Sequence, residues 1–508
     1  MSHNNAYSIL TAEEAADHVF NGATVGFSGF TPAGAAKAIP RAIAAKAKAL
    51  HEKNEPYQIR VLTGASTGKN LDETLAAADA VSWRAPYQSS RSMRKLMNQG
   101  KVQFIDMHLS HVPQTVAEGF FGNIDFAIVE ATHVTSDGRV YLSSSIGASP
   151  TYLKCADKII IEINRRHSPR VSEMADIAIL PNPPYRSPIP IFHCLERIGW
   201  PYATIDPKKV IGIVETDEPD DVNPFAPADA VSNRLASNVV HFLCEEKASG
   251  RIPKQFLPLQ SGVGNIANAV MAGLGESEDI PPFLMYSEVF QDALVDLMLN
   301  GKLVGASATS LTLSPERLKQ VYDNMDFFVP RIVLRPQELS NNPGIVRRLG
   351  VITTNTALEV DIYGHANSTH VSGTQMMNGV GGSGDFTRNA YLSIFMCPSV
   401  AKGGRISTIV PMATHVDHNE HSVQVVITEQ GIADLRGKGP IERAKTLIDN
   451  CAHPAYRPYL HKYLETSPMG HIRHDLRRCF EMHLNLAECG QMLPDLDLSV
   501  FADMCGGE

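Results

Sequence analysis

The sequence predicts an α/β fold: two open, mainly parallel sheets covered by helices. Three observations carry that expectation. Apolar runs at residues 23–30, 126–131 and 158–163 lack polar alternation, as strands buried on both faces do. Helical patterns fill most of the intervals between such runs, the order in which parallel strands are connected. The 508 residues allow about two to five domains, each large enough to bury its own core.

The elements follow in order. Thr11 with Glu14 three residues later is a reciprocal capping box and opens the first helix. Residues 23–30 read as a buried strand that breaks at Thr31-Pro32-Ala33-Gly34 and passes into an alanine-rich helix through Ala49. Further strands are predicted at 57–62, 102–106, 126–131, 158–163, 177–180 and 210–215. Residues 217–229 are acidic and hold three prolines, so neither helix nor strand persists there. The domain boundary is placed in this stretch, giving one domain over 1–224 and a second over 225–508. A helix at 231–247 opens the second half, whose strands are predicted at 306–311, 327–334, 351–359, 406–410 and 423–428.

Composition narrows the function classes. A formal charge of −9 argues against a general nucleic-acid or membrane-surface binder, which needs surplus Lys and Arg to displace counterions. The eight cysteines include no C-x-x-C pair and read as reduced thiols of a cytoplasmic protein. The N-terminal residues lack a basic segment followed by an apolar one, and no window approaches about 18 uninterrupted apolar residues. Neither export nor a membrane span is expected.

Five segments carry candidate chemistry. Gly26-x-x-Gly29-x-x-x-x-Gly34 lies between a strand and a helix, where it is either an anion-holding loop or a tight turn, and it is not G-x-G-x-x-G. In Gln260-Ser-Gly-Val-Gly-Asn265, two close glycines precede a helix and expose backbone N–H groups suited to an oxyanion or phosphate; the other reading is a loop needing glycine for φ > 0. Glu288, in Tyr286-Ser-Glu-Val-Phe-Gln-Asp292, read alone is an early-helix charge. Asn378-Gly-Val-Gly-Gly-Ser-Gly-Asp-Phe386 is dense enough in glycine for main chain to touch a bulky ligand, with a hinge as the competing reading. His415, His418 and His421 lack H-E-x-x-H spacing and a nearby Cys, so a loop is expected there rather than a metal site.

In the order GFTPAG, QSGVGN, YSEVFQD, NGVGGSGDF and TEQGIADLR, these segments resemble the acetyl-CoA hydrolase/transferase family of class I coenzyme A transferases, from Phe27 to about Leu464. The resemblance implies a pair of CoA-transferase (NagB/RpiA-like) α/β domains, with the site in the cleft between them, and a homodimer. It makes Glu288 the nucleophile that carries a glutamyl-CoA thioester and aligns Asn341 with an asparagine beside the reacting carbonyl. Val263, Gly264, Asn265, Ile266, Ala267, Asn378, Gly382 and Lys402 align with CoA-contacting positions, some of them oxyanion donors. Arg405 and Arg388 are further cations for the CoA phosphates. Glu429 aligns with an acid near the site and receives no role.

CoA is thus expected as substrate and covalent intermediate, with no metal and no separate cofactor. The partners implied are an acyl-CoA and a small carboxylate: propionyl-CoA or acetyl-CoA with succinate, or succinyl-CoA with acetate. Hydrolysis of acyl-CoA on the same glutamate is the alternative. Exchange of CoA between carboxylates joins bonds of nearly equal energy, so a carboxylate that carries each group in turn is the economical catalyst.

Overall fold

A computed structural model describes residues 7–223 and 227–504 of the chain. The chain divides into two compact units. The first comprises Met1–Pro224, Leu284–Leu349 and Asn378–Asp385, and the second comprises Phe225–Phe283, Gly350–Met377 and Phe386–Glu508.

The expected boundary at 224/225 lies outside the described residues, and residues 227–504 divide between the two units rather than forming one. Residues 284–349, which carry Glu288, fold with the N-terminal half. The reason is a seam of main-chain bonds: Leu311 N–H to the Ser144 carbonyl at 2.8 Å, Asp176 N–H to Leu334 at 2.8 Å, and Gln337 N–H to Gly147 at 3.0 Å. The fully buried Arg335 adds an ion pair to Asp176. GFTPAG and Glu288 therefore belong to one unit, not to opposite sides of a cleft as the sequence suggests.

The first unit is built on a nine-stranded sheet among the described residues. Its strands are β1 (Thr24–Phe27), β2 (Ile59–Leu62), β3 (Val81–Ala85), β4 (Gln103–Phe104), β5 (Phe126–Val134), β6 (Arg139–Leu142), β7 (Lys158–Asn164), β8 (Ala203–Thr204) and β9 (Val210–Thr216). The parallel order is β4-β3-β2-β1-β5-β7-β9, while β6 pairs antiparallel with β5 and β8 antiparallel with β6. In register, Val25 faces Val61 and Phe126, and Ile161 faces Val129 and Ile213, so apolar residues stack across the sheet. Burial of these strands on both faces explains their unbroken apolar runs.

The first helix, Ala12–Asp17, has the capping box read from Thr11 and Glu14. Helix Ala38–His51 buries Ile39, Ala42, Ile43, Ala44 and Ala47, and the Glu162 carboxylate accepts the N–H groups of Lys37, Ala38 and Ile39 at its start. Beneath the GFTPAG turn, the Lys37 ammonium binds Glu130 and, at 3.0 Å, Asp220. His167 Nε2 lies 3.0 Å from Glu130. These four side chains are buried. Asp220, in the stretch read as a bare linker, is thus part of the core.

In the second unit, strands Leu259–Ser261, Ile352–Thr356, Leu392–Met396 and Val425–Thr428 lie parallel in that order, and Gly431–Asp434 returns antiparallel. Helix Ala230–Ala248 starts on Asp229, whose carboxylate accepts the Ser232 N–H. The expected strands 306–311, 351–359 and 406–410 each divide between two strands of different sheets, and two further expectations fail. Residues 177–180 make only an isolated bridge, Ile177 to Trp200. In 327–334 only Ile332–Leu334 is strand, because helix Met325–Phe328 buries Met325 and Phe328 and continues into a 3₁₀ turn.

Candidate active site

Ser287 and Glu288 interrupt the strand path between Phe283–Tyr286 and Val289–Gln291. The main chain is fixed on both sides of the break. Ser287 N–H donates to the Ser307 carbonyl at 2.9 Å, and the Glu288 carbonyl accepts the N–H groups of Thr309 at 2.8 Å and Ser310 at 3.3 Å. Val289 and Phe290 are buried and anchor the chain beyond it. The side chain of Glu288 is half-buried.

The Glu288 carboxyl meets a chain of polar groups. Asn341 Nδ2 donates to Glu288 Oε1 at 2.6 Å and stands 3.4 Å from Asp385 Oδ2. The Ser340 hydroxyl donates to Asn341 Oδ1 at 2.8 Å. Asp385 accepts the Ser110 N–H at 3.0 Å and the Ser110 hydroxyl at 2.6 Å.

The glycine-rich segment lies directly against the carboxyl. A Cβ at Gly382 would stand 1.8 Å from Glu288 Oε1 and 2.3 Å from Asn341 Nδ2, so a side chain there would displace the carboxyl or the amide. Asp106 anchors the segment by accepting the Val380 N–H at 2.8 and 2.9 Å. The Tyr87 ring packs beside it, 3.0 Å from where a Cβ of Gly379 would be, and against Phe30, Ala65, Leu109 and Val289.

This setting shifts the carboxyl groups. Burial pushes Glu288 up to about 7; the Asn341 hydrogen bond opposes the rise and the Asp385 charge adds to it. Burial also pushes Asp385 up to about 6 against its bonds from Ser110. Tyr87 is pushed up to about 12 by burial and by the nearby Glu288 and Asp106 charges. A carboxyl poised near neutrality beside a fixed N–H donor can act as a nucleophile and have a developing oxyanion stabilised.

Of the residues expected from sequence, Glu288, Asn341 and Gly382 come together within the first unit. Asn378 begins the same segment and donates to the Gly379 carbonyl at 3.0 Å. Val263, Gly264, Asn265, Ile266 and Ala267 belong to the second unit. There Gly264, at φ 126°, precedes the twelve-residue helix Asn265–Glu276 without a side-chain cap, which leaves N–H groups at the helix start for an anion. Lys402 is exposed at the turn between Val400–Ala401 and Ile406–Ser407, with Arg405 exposed on the same turn. Glu429 is buried and accepts the Ser399 N–H at 2.8 Å and its hydroxyl, which holds the neighbouring loop. The histidines lie in a loop, His415 paired with Asp417 at 3.2 Å, His421 with Glu420 at 3.4 Å, and His418 buried.

Sequence reasoning missed Asp385, Ser110, Tyr87 and Asp106. Asp385 lay in the glycine-rich motif itself, but its partner Ser110 is 275 residues away and carried no local signal.

Residues 2–215 match the model of the acetyl-CoA hydrolase/transferase N-terminal domain, and residues 318–464 match that of its C-terminal domain. The chain belongs to this family. Asn341, Gly382 and Lys402 fall within the second matched segment, whereas Glu288 and Val263–Ala267 fall between the two. Among the family's relatives, the chain is 60% identical to a propanoyl-CoA:succinate CoA transferase of Escherichia coli over 95% of its own length and 98% of the relative's. It is 46% identical to a succinyl-CoA:acetate CoA-transferase of Clostridium kluyveri, covering 95% and 90%. The crystal structure of a 4-hydroxybutyrate CoA-transferase from Porphyromonas gingivalis shares the fold, with a TM-score of 0.61 at 22% identity over 90% of this chain and 97% of that one.

Proposed function

We propose that this protein is a CoA-transferase that moves coenzyme A between a short-chain acyl-CoA, propionyl-CoA or acetyl-CoA, and succinate, through a glutamyl-CoA thioester on Glu288. The observation that carries this reading is the Glu288 carboxyl, raised toward neutrality and bonded at 2.6 Å by Asn341, under a glycine where a side chain would displace it. The 60% identity to a propanoyl-CoA:succinate CoA transferase supports the substrate pair.

The steps balance without a cofactor or a metal. Glu288 Oε attacks the acyl carbonyl and forms a C–O bond, giving a tetrahedral oxyanion; its collapse to the mixed anhydride breaks the C–S bond, whose electron pair leaves on CoA thiolate. The thiolate then attacks Cδ of the mixed anhydride, forming the glutamyl thioester and releasing the donor acid as its carboxylate. An acceptor carboxylate runs both steps in reverse. Each tetrahedral intermediate carries one negative oxygen, which the Asn341 amide and the Gly382 N–H are proposed to stabilise. The backbone N–H groups of Val263 and Gly264 are proposed as further donors. Loss of one such donor typically costs roughly 3 to 4 kcal/mol of transition-state stabilisation. The remaining CoA contacts, Asn265, Ile266, Ala267, Asn378 and Lys402, are proposed to hold the cofactor-sized remote part of the substrate, whose binding orients the thioester.

Two variants of the reading stay within the family: succinyl-CoA with acetate, favoured by the 46% relative, and hydrolysis, named in the family's description. Acyl-CoA consumption measured with and without succinate or acetate separates them. Turnover independent of any acceptor acid overturns transfer in favour of hydrolysis. A panel of acyl-CoA donors against carboxylate acceptors fixes the pair. We further propose a cytoplasmic homodimer with no nucleic-acid or membrane partner. No helix among the described residues is long and apolar enough to cross a membrane. Light scattering of the purified protein tests the dimer.

A further inference from the structure

Asn341 is flanked by two carboxyl groups, and only one of them enters the scheme above. An asparagine amide can present either Nδ2 or Oδ1 to Glu288, and only Nδ2 stabilises negative charge there. Ser340 does not decide between these orientations, because its hydroxyl can donate to Oδ1 or accept from Nδ2. Glu288 does not hold the amide through the cycle, because its carboxylate is consumed when the thioester forms. Asp385 is different. Ionised, it only accepts, it lies 3.4 Å from Asn341 Nδ2, and its own position is set by two donors from Ser110.

We propose that Asp385 is a positioning residue that keeps Asn341 Nδ2 turned toward Glu288 and, as a second negative charge, favours conversion of the Glu288 carboxylate into the neutral glutamyl thioester. The inference rests on Glu288 being the nucleophile. Asp385 faces Ser110, His111, Asn341 and Glu288, and the His108 ring lies against the adjacent Gly384. Glu288 faces Asn341, Asp385 and Tyr87. Two like charges share one amide in the free enzyme. When Glu288 becomes a thioester, the departing acid removes one of those charges, and the repulsion is relieved.

The test uses the full chain carrying Asp385→Asn or Ser110→Ala. For D385N the expected kcat falls on the order of tenfold to a hundredfold, as misorientation of a reacting group typically costs. KM for acyl-CoA stays within about threefold, since ground-state binding is not the target. The fraction of Glu288 trapped by borohydride as a reduced thioester falls, and the acid limb of the rate profile moves, since D385N both removes a neighbouring negative charge and loosens the Asn341 bond to the carboxyl. S110A withdraws one donor from Asp385, raises its pKa and so weakens that charge; it shifts the same readouts in the same direction by a smaller factor. A D385N enzyme with kcat within about twofold of the parent and an unmoved acid limb overturns the proposal. If D385N does not fold, S110A with unchanged trapping and an unmoved limb overturns it. Trapping in the parent separates the two levels: no product at Glu288 there removes the nucleophile reading itself, whereas product there with unaffected variants removes only the role of Asp385.

Discussion

Gly382 and Glu288 touch so closely that no side chain fits between them: a Cβ on Gly382 would stand 1.8 Å from Oε1 and 2.5 Å from the carboxyl carbon. The methyl of Gly382→Ala must therefore displace the carboxyl from Asn341. We expect kcat to fall on the order of a hundredfold or more, the usual consequence of moving a reacting group by about an ångström. Steady-state kinetics together with borohydride trapping at Glu288 checks this, and parent-like kcat and trapping in G382A would count against Gly382 as the residue that leaves room for the carboxyl to meet Asn341.

Asn341→Ala removes the donor at 2.6 Å from Glu288. The expected loss is roughly a hundredfold to a thousandfold in kcat, the range for one oxyanion donor. The acid limb should move to higher pH, because the Asn341 bond is what opposes the rise of the Glu288 pKa. D385N offsets the same loss with the removal of a negative charge, so of the two variants N341A should carry its limb to the higher pH.

In the parent enzyme the first half-reaction should quicken as pH rises through about 7 and level off above it, because only the ionised carboxyl attacks and burial sets that group at about 7. Rapid-quench measurement of thioester formation across pH 5.5 to 9 reads this directly; a flat profile through 7 contradicts the assignment.

Lys37→Met leaves Glu130 and Asp220 buried without their ammonium partner, and we expect a loss of about 3 to 5 kcal/mol in unfolding free energy. Against the cost of burial, Lys37 and His167 hold the Glu130 carboxyl far below the usual carboxylate range. A carboxyl with a depressed folded pKa contributes stability above its unfolded value of 4.5, and that stability is lost as pH falls through the folded value. Urea unfolding should show the Lys37 contribution in full at pH 7 and somewhat reduced at pH 4, which lies below the unfolded value of 4.5 but above the depressed folded one.

Much of the architecture was legible because it is written locally. The capping box of Thr11 and Glu14 and the buried runs of β5 and β7 need no distant partner to be read. β3 escaped because its Arg84 looks like an exposed residue, although it is buried against Asp72 twelve positions earlier. The segment 327–334 is apolar enough for a strand, yet most of it coils into helical turns that bury Met325 and Phe328. Glu288, Asn341 and Gly382 were legible only through long motifs. The unit to which they belong was not, because the bonds from Ser144 to Leu311 and from Asp176 to Arg335 join residues more than 150 positions apart. Asp385 illustrates the same limit: its identity was visible and its partner was not.

The doubly bonded carbonyl of Glu288 has a mechanical meaning. With Thr309 and Ser310 holding that oxygen, the backbone at Glu288 is a fulcrum and the side chain is its lever arm. The reach of the carboxyl is set by the number of methylenes alone, since the fulcrum cannot advance to compensate. Aspartate has the same charge and the same chemistry, but its arm is one carbon short, and at this position the shortfall cannot be made up by the chain.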